Sequence, residues 1–458
     1  MAGPTSIGTI GTGREGSVGI IKETTFGCQE PKATTFLEFI SESIKNEVEK
    51  LESQANIGSR TQKDIYLGVE DINGGFSFEV NPENVGLLVA AAMGKETFLV
   101  DTPETGAHLH TFDIAAAKTE LPSLQIDVNR GGIKAYRYNG CRVNSMKFSA
   151  ELHSIMNSEF EIVGRNESAD VAQTHTLTTV VGTNLGSKFF YIDAPDPSGG
   201  VTEYYVWFDV DAGSTDPAPP SHSGSSTSPT SIEVDILNTD TDAQVATKME
   251  VPIEAIDASL TFTVVPTGNK VKITYLNTGQ GFAEDFDTLF TFESSDIIAP
   301  TFSATKPFIY TQGTLKIDNV IAAFVREFEY TYNNNLFTDG FTLDGTRFRN
   351  SLYEQALEIT GSITGEWTTT SSQQRLKYTR NQNVKLELKF LQVDKIGSTN
   401  EPFAMTHTFD VNKFMASDSS IGGPDAIDFS LDFKAIKPTP SDNPLQIAIA
   451  NGVGTAYI

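Results

Sequence analysis

Hydrophobic and polar residues alternate along most of the chain, which is the period of β-strands whose two faces meet different surroundings. Clusters of Gly, Asn, Asp and Pro bound the alternating runs, as turns between strands require. The pattern predicts a mainly β protein with strands over 76–80, 143–150, 205–210, 260–265, 271–276, 385–390 and 427–433.

Helical patterns are fewer, and three segments have one: 83–93, 241–250 and 371–381. The first follows Asn81 and Pro82, a start signal, and precedes Gly94, a typical C-terminal stop. The segment 36–52 begins with a strand-like pattern and continues with apolar residues at helical spacing. It is therefore predicted as a strand followed by a helix.

The chain contains an internal repeat. Residues 58–80 align without a gap on 345–367, with Gly, Arg, Tyr, Ile, Gly and Glu at identical spacing. A predicted helix follows each copy. Further on, the His-Thr-Phe-Asp sequence of 110–113 recurs at 407–410, and the strands 124–128 and 427–433 follow. We interpret this order of elements as one β-rich unit used twice in the chain.

The segment between the copies, 186–298, has no counterpart in either one. It includes a Ser-, Pro-, Gly- and Thr-rich stretch over 211–231, which is typical of a flexible loop. With 4 Lys and 18 Asp+Glu, the segment has a net charge of −14, which leaves −12 of the total of −26 for the rest of the chain. We predict a compact α+β module, inserted between the duplicated units and largely exposed to solvent.

The overall charge argues against classes of function that need basic surfaces. The 458 residues include 33 Lys+Arg against 59 Asp+Glu, which disfavours a protein that grips nucleic acid or docks on an anionic membrane. The longest apolar stretch, 85–93, is far shorter than the roughly 20 residues that span a bilayer. Neither a signal peptide nor a cysteine framework is recognisable, so we expect a soluble protein made in a reducing cytoplasm, with no membrane partner.

Candidate catalytic and metal sites do not satisfy their templates. The glycines of 11–16 fit the spacing of a dinucleotide-binding loop but lack the preceding strand and the following helix. His108 and His110 lack a third ligand, so packing or hydrogen bonding is the preferred role. Asp209, Asp211 and Asp216 do not have the spacing of a calcium loop. We therefore predict no enzyme activity, no catalytic residue, no bound metal and no cofactor.

The residues of 20–31, 39–43, 58–60, 81–94 and 138–149 resemble the tail tube proteins of long-tailed, siphovirus-like bacteriophages. In the second half, 317–318, 328–335 and 359–367 resemble the same family. The resemblance covers about 15–165 and 305–440, whereas the central insert is absent from the shortest family members. It implies a duplicated, mainly β tail tube fold, a β-sandwich that forms a barrel with its neighbours, with a small α+β inserted domain.

The resemblance also implies the function. We expect a structural virion protein, made in the cytoplasm of the bacterial host, that self-assembles into stacked rings around a conduit for viral DNA. The DNA is expected to pass without specific binding. Two copies per chain favour a homotrimeric ring with pseudo-sixfold symmetry, and a homohexamer is the alternative. Further partners are expected to be the tape measure protein and the tail terminator or distal tail proteins.

The polar connections 52–59 and 333–344 lie at matching points of the two copies and are candidate inter-ring loops, with ordinary surface hairpins as the alternative. The residues concerned are Gln54, Ala55, Asn56, Ile57, Asn333, Asn334, Asn335 and Asp339. The expected domains are a flexible N-terminal arm (1–19), a first tail tube domain (20–165), an inserted decoration domain (166–304), a second tail tube domain (305–440) and a C-terminal tail (441–458). The arm and the tail are expected to be mobile until assembly orders them.

Two other functions compete with the tail tube. The insert could serve a tail-associated adhesin that binds a host glycan or protein, and the many carboxylates could serve a hydrolase. No carboxylate pair stands out from the sequence.

Overall fold

A computed structural model gives the conformation of the chain. It describes residues 12–458 apart from 29, 31–32, 34, 56–62, 103, 116–118, 132–133, 169–173, 196–200, 219–228, 257–261, 276–281, 285–290, 295–299, 301 and 422–425.

The described chain is mainly β, as predicted. Its α-helices are α1 (Gly86–Met93), α2 (Asp242–Glu254) and α3 (Thr369–Thr379). Its strands as far as the insert are β1 (Ser17–Lys22), β2 (Thr35–Leu37), β3 (Phe39–Glu42), β4 (Lys45–Glu52), β5 (Ile65–Glu79), β6 (Gly94–Leu99), β7 (His108–Ile114), β8 (Leu124–Arg130), β9 (Lys134–Glu151), β10 (Asn157–Gly164) and β11 (Asn166–Ser168).

The strands of the insert are β12 (Thr174–Thr178), β13 (Phe189–Pro195), β14 (Val201–Val210), β15 (Thr230–Ile236), β16 (Phe262–Thr267), β17 (Lys270–Tyr275), β18 (Phe282–Glu284) and β19 (Thr291–Ser294). Those that follow are β20 (Gly313–Ile317), β21 (Val320–Ile321), β22 (Val325–Asn333), β23 (Glu358–Glu366), β24 (Val384–Lys395), β25 (Pro402–Asp418), β26 (Asp428–Ala435) and β27 (Gln446–Asn451).

The chain forms two compact units. The larger unit comprises 17–128, 138–167 and 300–458, and the smaller unit comprises 1–16, 129–137 and 168–299. Both halves of the sequence repeat therefore belong to the larger unit. The domain limits expected from the sequence stay a prediction.

One antiparallel sheet of the larger unit contains eight strands in the order β4–β5–β10–β9–β22–β23–β26–β25. Side chains on one of its faces alternate with those on the other, because successive residues of a strand point to opposite sides. The buried face is rich in aromatic residues, with Phe76, Phe160, Phe148, Tyr330 and Phe433 each at most 2% exposed.

A second set of pairings places β27 between β7 and β25. Ile447 and Ile449 of β27 are fully buried, and Asn451 donates from Nδ2 to the carbonyl of Pro82 (2.8 Å). The prediction that the C-terminal tail stays mobile until assembly is therefore wrong. Its residues complete a sheet between elements of both copies. β1 begins at Ser17, within the predicted arm of 1–19, and residues 1–11 of that arm lie outside the described chain.

The predicted helix after residue 43 is wrong, because Lys45–Glu52 forms β4 and pairs antiparallel with β5. The spacing of Val48 and Leu51 fits a helix, but the long neighbouring strand offers a full ladder of backbone hydrogen bonds, and such tertiary pairing overrides local propensity. The other helices are confirmed with shifted limits. α1 starts only at Gly86, after a turn at Asn81, and α2 continues past Pro252 because Ile253 enters the core.

The smaller unit is an α+β module, as the pattern predicted. Its two four-stranded sheets contain β16–β17–β12–β19 and β15–β14–β13–β18. Helix α2 begins with a capping box between Thr241 and Gln244 and buries Val245, Met249 and Ile253 in the hydrophobic core of the module.

Candidate assembly interface

The eight-stranded sheet consists of two similar halves. The first half-sheet is β4–β5–β10–β9, with β3 continuing the line of β4 along β5, and the second half-sheet is β22–β23–β26–β25. A helix follows β5 and β23 in both, namely α1 and α3. The order of strands is the same in each, so the sequence repeat corresponds to a structural duplication.

Irregularities in the strand pairing support this correspondence. The register against β5 shifts at Ile40, and the register against β23 shifts at Arg326, the matching position. The register between β9 and β10 shifts at Asn144, and the register between β25 and β26 shifts at Met415, again the matching position. A bulge reshapes the strand that carries it, and its presence at both pairs of positions shows that the halves share detailed geometry.

The same pairings correct one part of the sequence alignment. The strand 427–433 was expected to match 124–128, since both follow the His-Thr-Phe-Asp sequence. However, β26 lies between β23 and β25 as β10 lies between β5 and β9. The true counterpart of β26 is therefore β10. In the first copy, β8 and the start of β9 are additional, whereas β25 runs without interruption through the corresponding point.

The two half-sheets meet where β9 pairs with β22, which we call the internal junction. Its register runs from Ser145 opposite Asn333 to Glu151 opposite Glu327. On the buried face, the rings of Phe148 and Tyr330 stack with centroids 5.6 Å apart. Aromatic side chains of both copies thus form one core across the junction, which ties the copies together.

His407 lies in this core with no exposed surface. Its Nδ1 forms a hydrogen bond with the hydroxyl of Tyr330 (2.7 Å), and its Nε2 has no hydrogen-bond partner in the described part of the chain. Burial lowers the pKa of His407 to about 3, because the charged imidazolium would lose its hydration. The ring is therefore neutral at physiological pH and acts as a packed core residue.

The histidines of the first copy also have structural roles. His110 is fully buried; its Nδ1 lies 2.7 Å from Glu96 and its Nε2 lies 3.0 Å from the carbonyl oxygen of Val453. His108 accepts from the backbone N–H of Asp101. The two rings therefore serve hydrogen bonding and packing, the role that the sequence favoured over metal binding.

The connection between β22 and β23 folds against the first copy. Arg349, only 2% exposed, donates to the carbonyl of Gly164 (3.0 Å) and forms an ion pair with Asp71. Arg347 forms an ion pair with Glu70. These contacts fix the connection against β5 and the end of β10 in the first half-sheet.

The candidate loop residues have different surroundings. Asn333 is part of β22, and Asn334 is buried, donating to the carbonyls of Ala92 and Val143. Asn335 donates to Ala356, and Asp339 is exposed. Of the candidates in the first copy, Gln54 and Ala55 are exposed, and Asn56 and Ile57 lie outside the described residues.

The polar face of the eight-stranded sheet carries more acidic than basic side chains. Residues directly opposite each other on neighbouring strands point to the same face. Glu329 lies opposite Ser149 on one side and Ser362 on the other, and following such pairs across the sheet identifies the residues of the polar face. The acidic members of this face are Glu47, Asp71, Glu79, Glu151, Glu159, Glu161, Glu327, Glu329, Glu358, Glu366, Asp418, Asp428 and Asp432, and the basic members are Lys45, Arg142, Lys147, Lys413 and Lys434.

Ion pairs neutralise part of this charge. Lys147 lies 2.6 Å from Glu329, and Lys434 pairs with Glu358. Glu327 shows the excess of negative charge: partial burial and the neighbouring carboxylates of Glu329 and Glu151 raise its pKa. The face is thus suited to repelling phosphate groups rather than binding them.

The smaller unit brings together an acidic cluster that the sequence did not indicate. One carboxylate oxygen each from Asp209, Glu233 and Asp235 lie within 4.8 Å of one another. The parallel pairing of β14 with β15 places Asp209 opposite Asp235, a neighbourhood that sequence spacing does not reveal. Asp211 and Asp216, proposed and discounted as calcium ligands, instead accept hydrogen bonds from Asn238 and Tyr205.

Together, a duplicated antiparallel sheet, a shared aromatic core and an acidic polar face define a β-rich structural protein. A model of the phage tail tube protein family matches residues 13–204 and 223–435. The chain therefore belongs to the phage tail tube protein family, and it is a structural component of the virion tail. A comparison with curated proteins found no match. Of the helices described, none has the length and apolar character needed to cross a bilayer.

Proposed function

We propose that this chain assembles with copies of itself into rings that stack into a tail tube, and that the tube is the conduit for viral DNA. The observation that carries the proposal is the eight-stranded sheet with its two matching halves. Each half has the same strand order and bulges, so each can occupy an equivalent position in a ring. Three chains would supply six such positions, in a homotrimer with pseudo-sixfold symmetry.

The acidic face of the sheet is the candidate wall of the channel. Closing the sheets of successive chains into a barrel removes free strand edges. The polar face would then line the channel, and the aromatic face would lie on the outer side of the barrel wall. An acidic lumen repels phosphates over a Debye length of about 8 Å at physiological ionic strength. DNA would then pass without specific binding, and neither a cofactor nor a catalytic residue is required.

The proposed partners follow from the tube. They are the tape measure protein inside it and the terminator or distal tail proteins at its ends. The insert would project as a decoration module from a siphovirus-like tail. An adhesin function of the insert is the alternative, but none of the contacts described above favours it.

Negative-stain microscopy of the purified chain tests the proposal. Hollow tubes or rings are expected, and a chain that stays monomeric at high concentration would contradict it.

A deletion tests the candidate inter-ring loop. Removing 54–57 is expected to abolish tube growth while leaving folded subunits, because the connection would no longer reach the next ring. Circular dichroism checks the fold, and a deletion of equal length within 219–228, in the Ser- and Pro-rich stretch of the insert, is the control. Tubes of normal length from the 54–57 deletion would refute the role of the loop.

A further inference from the structure

We infer that the two outer edges of the eight-stranded sheet join neighbouring chains in the register of the internal junction. In this seam, residues 413–418 of β25 in one chain pair antiparallel with β4 of the next, so that Asp418 lies opposite Lys45 and Ala416 lies opposite Glu47. The inference rests on the proposed ring assembly and specifies its contact surface.

The edges are defined by the pairings. Among the described strands, β4 pairs with β5 alone, and 413–418 of β25 pair with β26 alone. Their counterparts in the opposite half, β22 and β9, have strands on both sides. Each edge therefore lacks the neighbour that its counterpart has, and a second copy of this chain supplies both missing neighbours.

The register follows from the matched positions. Lys147 of β9 and Asp418 of β25 each lie three residues after the matching bulges, so they are counterparts. Lys45 lies opposite Asn73 of β5, and Thr331 of β22 lies opposite Thr360, the counterpart of Asn73 in β23, so Lys45 and Thr331 are counterparts as well. Thr331 lies directly opposite Lys147 at the internal junction. The seam therefore places Lys45 directly opposite Asp418.

The charges at this pair agree with the register that the bulges and the repeat define. Lys45 and Asp418 are both exposed in the single chain, where Lys45 forms an exposed ion pair with Glu47 of its own strand. Opposite charges directly across a strand pair are favourable, so Asp418 of the next chain would add a second partner for Lys45. A slip by one residue would turn every side chain to the other face and would separate the pair.

Exposed apolar residues near β4 support the same surface. Leu51, Ile65 and Leu67 are 47%, 53% and 54% exposed. Leu352, the counterpart of Ile65, is only 2% exposed because it packs against Leu121 and Val163 of the first copy, and its carbonyl accepts from Arg142. A neighbouring chain would cover the apolar patch in the same way.

The seam is more polar than the internal junction. Ser417 and Ser419 stand where the internal junction has Met146 and Phe148. Exposed apolar strand edges aggregate, so serines at these positions let the chain stay soluble until assembly. The internal junction is permanently covered and can be apolar.

Charge reversal tests the seam. Lys45→Glu or Asp418→Lys alone is expected to raise the protein concentration needed for assembly by about tenfold, because each places like charges opposite each other. The double variant is expected to restore assembly to within about threefold of the original chain. The control is the same pair of changes at Lys306 and Asp394, an exposed ion pair at 2.8 Å. Sedimentation measures assembly, and circular dichroism verifies the fold.

Disulfide trapping tests the register directly. In a Cys28→Ser background, Lys45→Cys with Asp418→Cys is expected to link neighbouring chains in assembled material, since opposed Cβ atoms lie about 4.5–5.5 Å apart. Glu49→Cys with Asp418→Cys, about 13 Å apart along the strand, is the control.

The outcomes separate the two proposals. Failure of the unmodified chain to assemble would contradict the tube function. Normal tubes from both single reversals, or equal trapping in both cysteine pairs, would refute the seam and leave the tube function standing.

Discussion

The neutral His407 at the core of the larger unit predicts a specific loss of stability in acid. The unfolded chain takes up a proton near pH 6.5, whereas burial lowers the pKa of His407 to about 3 in the folded chain. Below the pKa of the unfolded state, the unfolded chain binds a proton that the folded chain does not. The free energy of unfolding is therefore highest above about pH 6.5 and decreases as the pH falls from about 6.5 towards 3. At pH 5 the loss is about 2 kcal/mol, since each pH unit corresponds to about 1.4 kcal/mol.

The assay is urea unfolding of unassembled chain at pH 8 and pH 5. A Trp207→Phe background leaves Trp367, which contacts Phe429 in the larger unit, as the tryptophan that reports unfolding. His407→Phe is compared with the parent. The substitution removes the partner of the Tyr330 hydroxyl and is expected to cost about 1–3 kcal/mol at pH 8, but it also removes the titrating group.

The measured quantity is the difference in pH dependence between parent and variant. We expect the parent to lose about 2 kcal/mol more than His407→Phe between pH 8 and pH 5. His153→Asn is the control, because His153 is exposed and asparagine tolerates its positive φ of 65°. Equal pH dependence of parent and His407→Phe would refute the assignment of a buried neutral ring.

Two further predictions concern the C-terminal strand and the insert. Truncation after Asp442 should give insoluble or unfolded chain, because it removes β27 from between β7 and β25; a soluble truncated chain with unchanged circular dichroism would show that β27 is dispensable. Glu233→Gln should raise the thermal midpoint of the smaller unit at pH 8, since partial desolvation and the neighbouring carboxylates of Asp235 and Asp209 raise the pKa of Glu233. The gain in stability should be only a few tenths of a kcal/mol because the side chain is exposed. It should shrink as the pH falls and Glu233 becomes protonated. A lower midpoint of the variant at pH 8 would contradict this prediction.

Much of the fold could be predicted from local pattern. The alternation over β9, β24 and β26 reflects a sheet with one buried face, so it was visible without any tertiary information. The sequence repeat likewise predicted the duplication, because matching glycine and apolar positions preserve turns and core contacts.

What could not be predicted depends on pairing between distant segments. β4 has local spacing typical of a helix and becomes a strand because β5 lies beside it. The last strand, β27, alternates apolar and polar residues, but its two neighbours, β7 and β25, belong to different copies, and this pairing is not encoded locally. The correspondence of β26 with β10 was hidden because the first copy has an additional segment before β10. The outer edges of the sheet depend on which strands pair, and the register of the seam depends on the bulges at Asn144 and Met415, so neither follows from local spacing.

The number of chains in an isolated ring tests the central claim most directly, because a duplicated chain should fill two equivalent positions. Native mass spectrometry of rings released from tubes measures it, and a three-fold average in electron microscopy provides an independent count. We predict three chains per ring, with six similar sheet segments around the lumen. Six chains per ring would contradict the account, since the two half-sheets of one chain would then not occupy equivalent positions in a six-part ring.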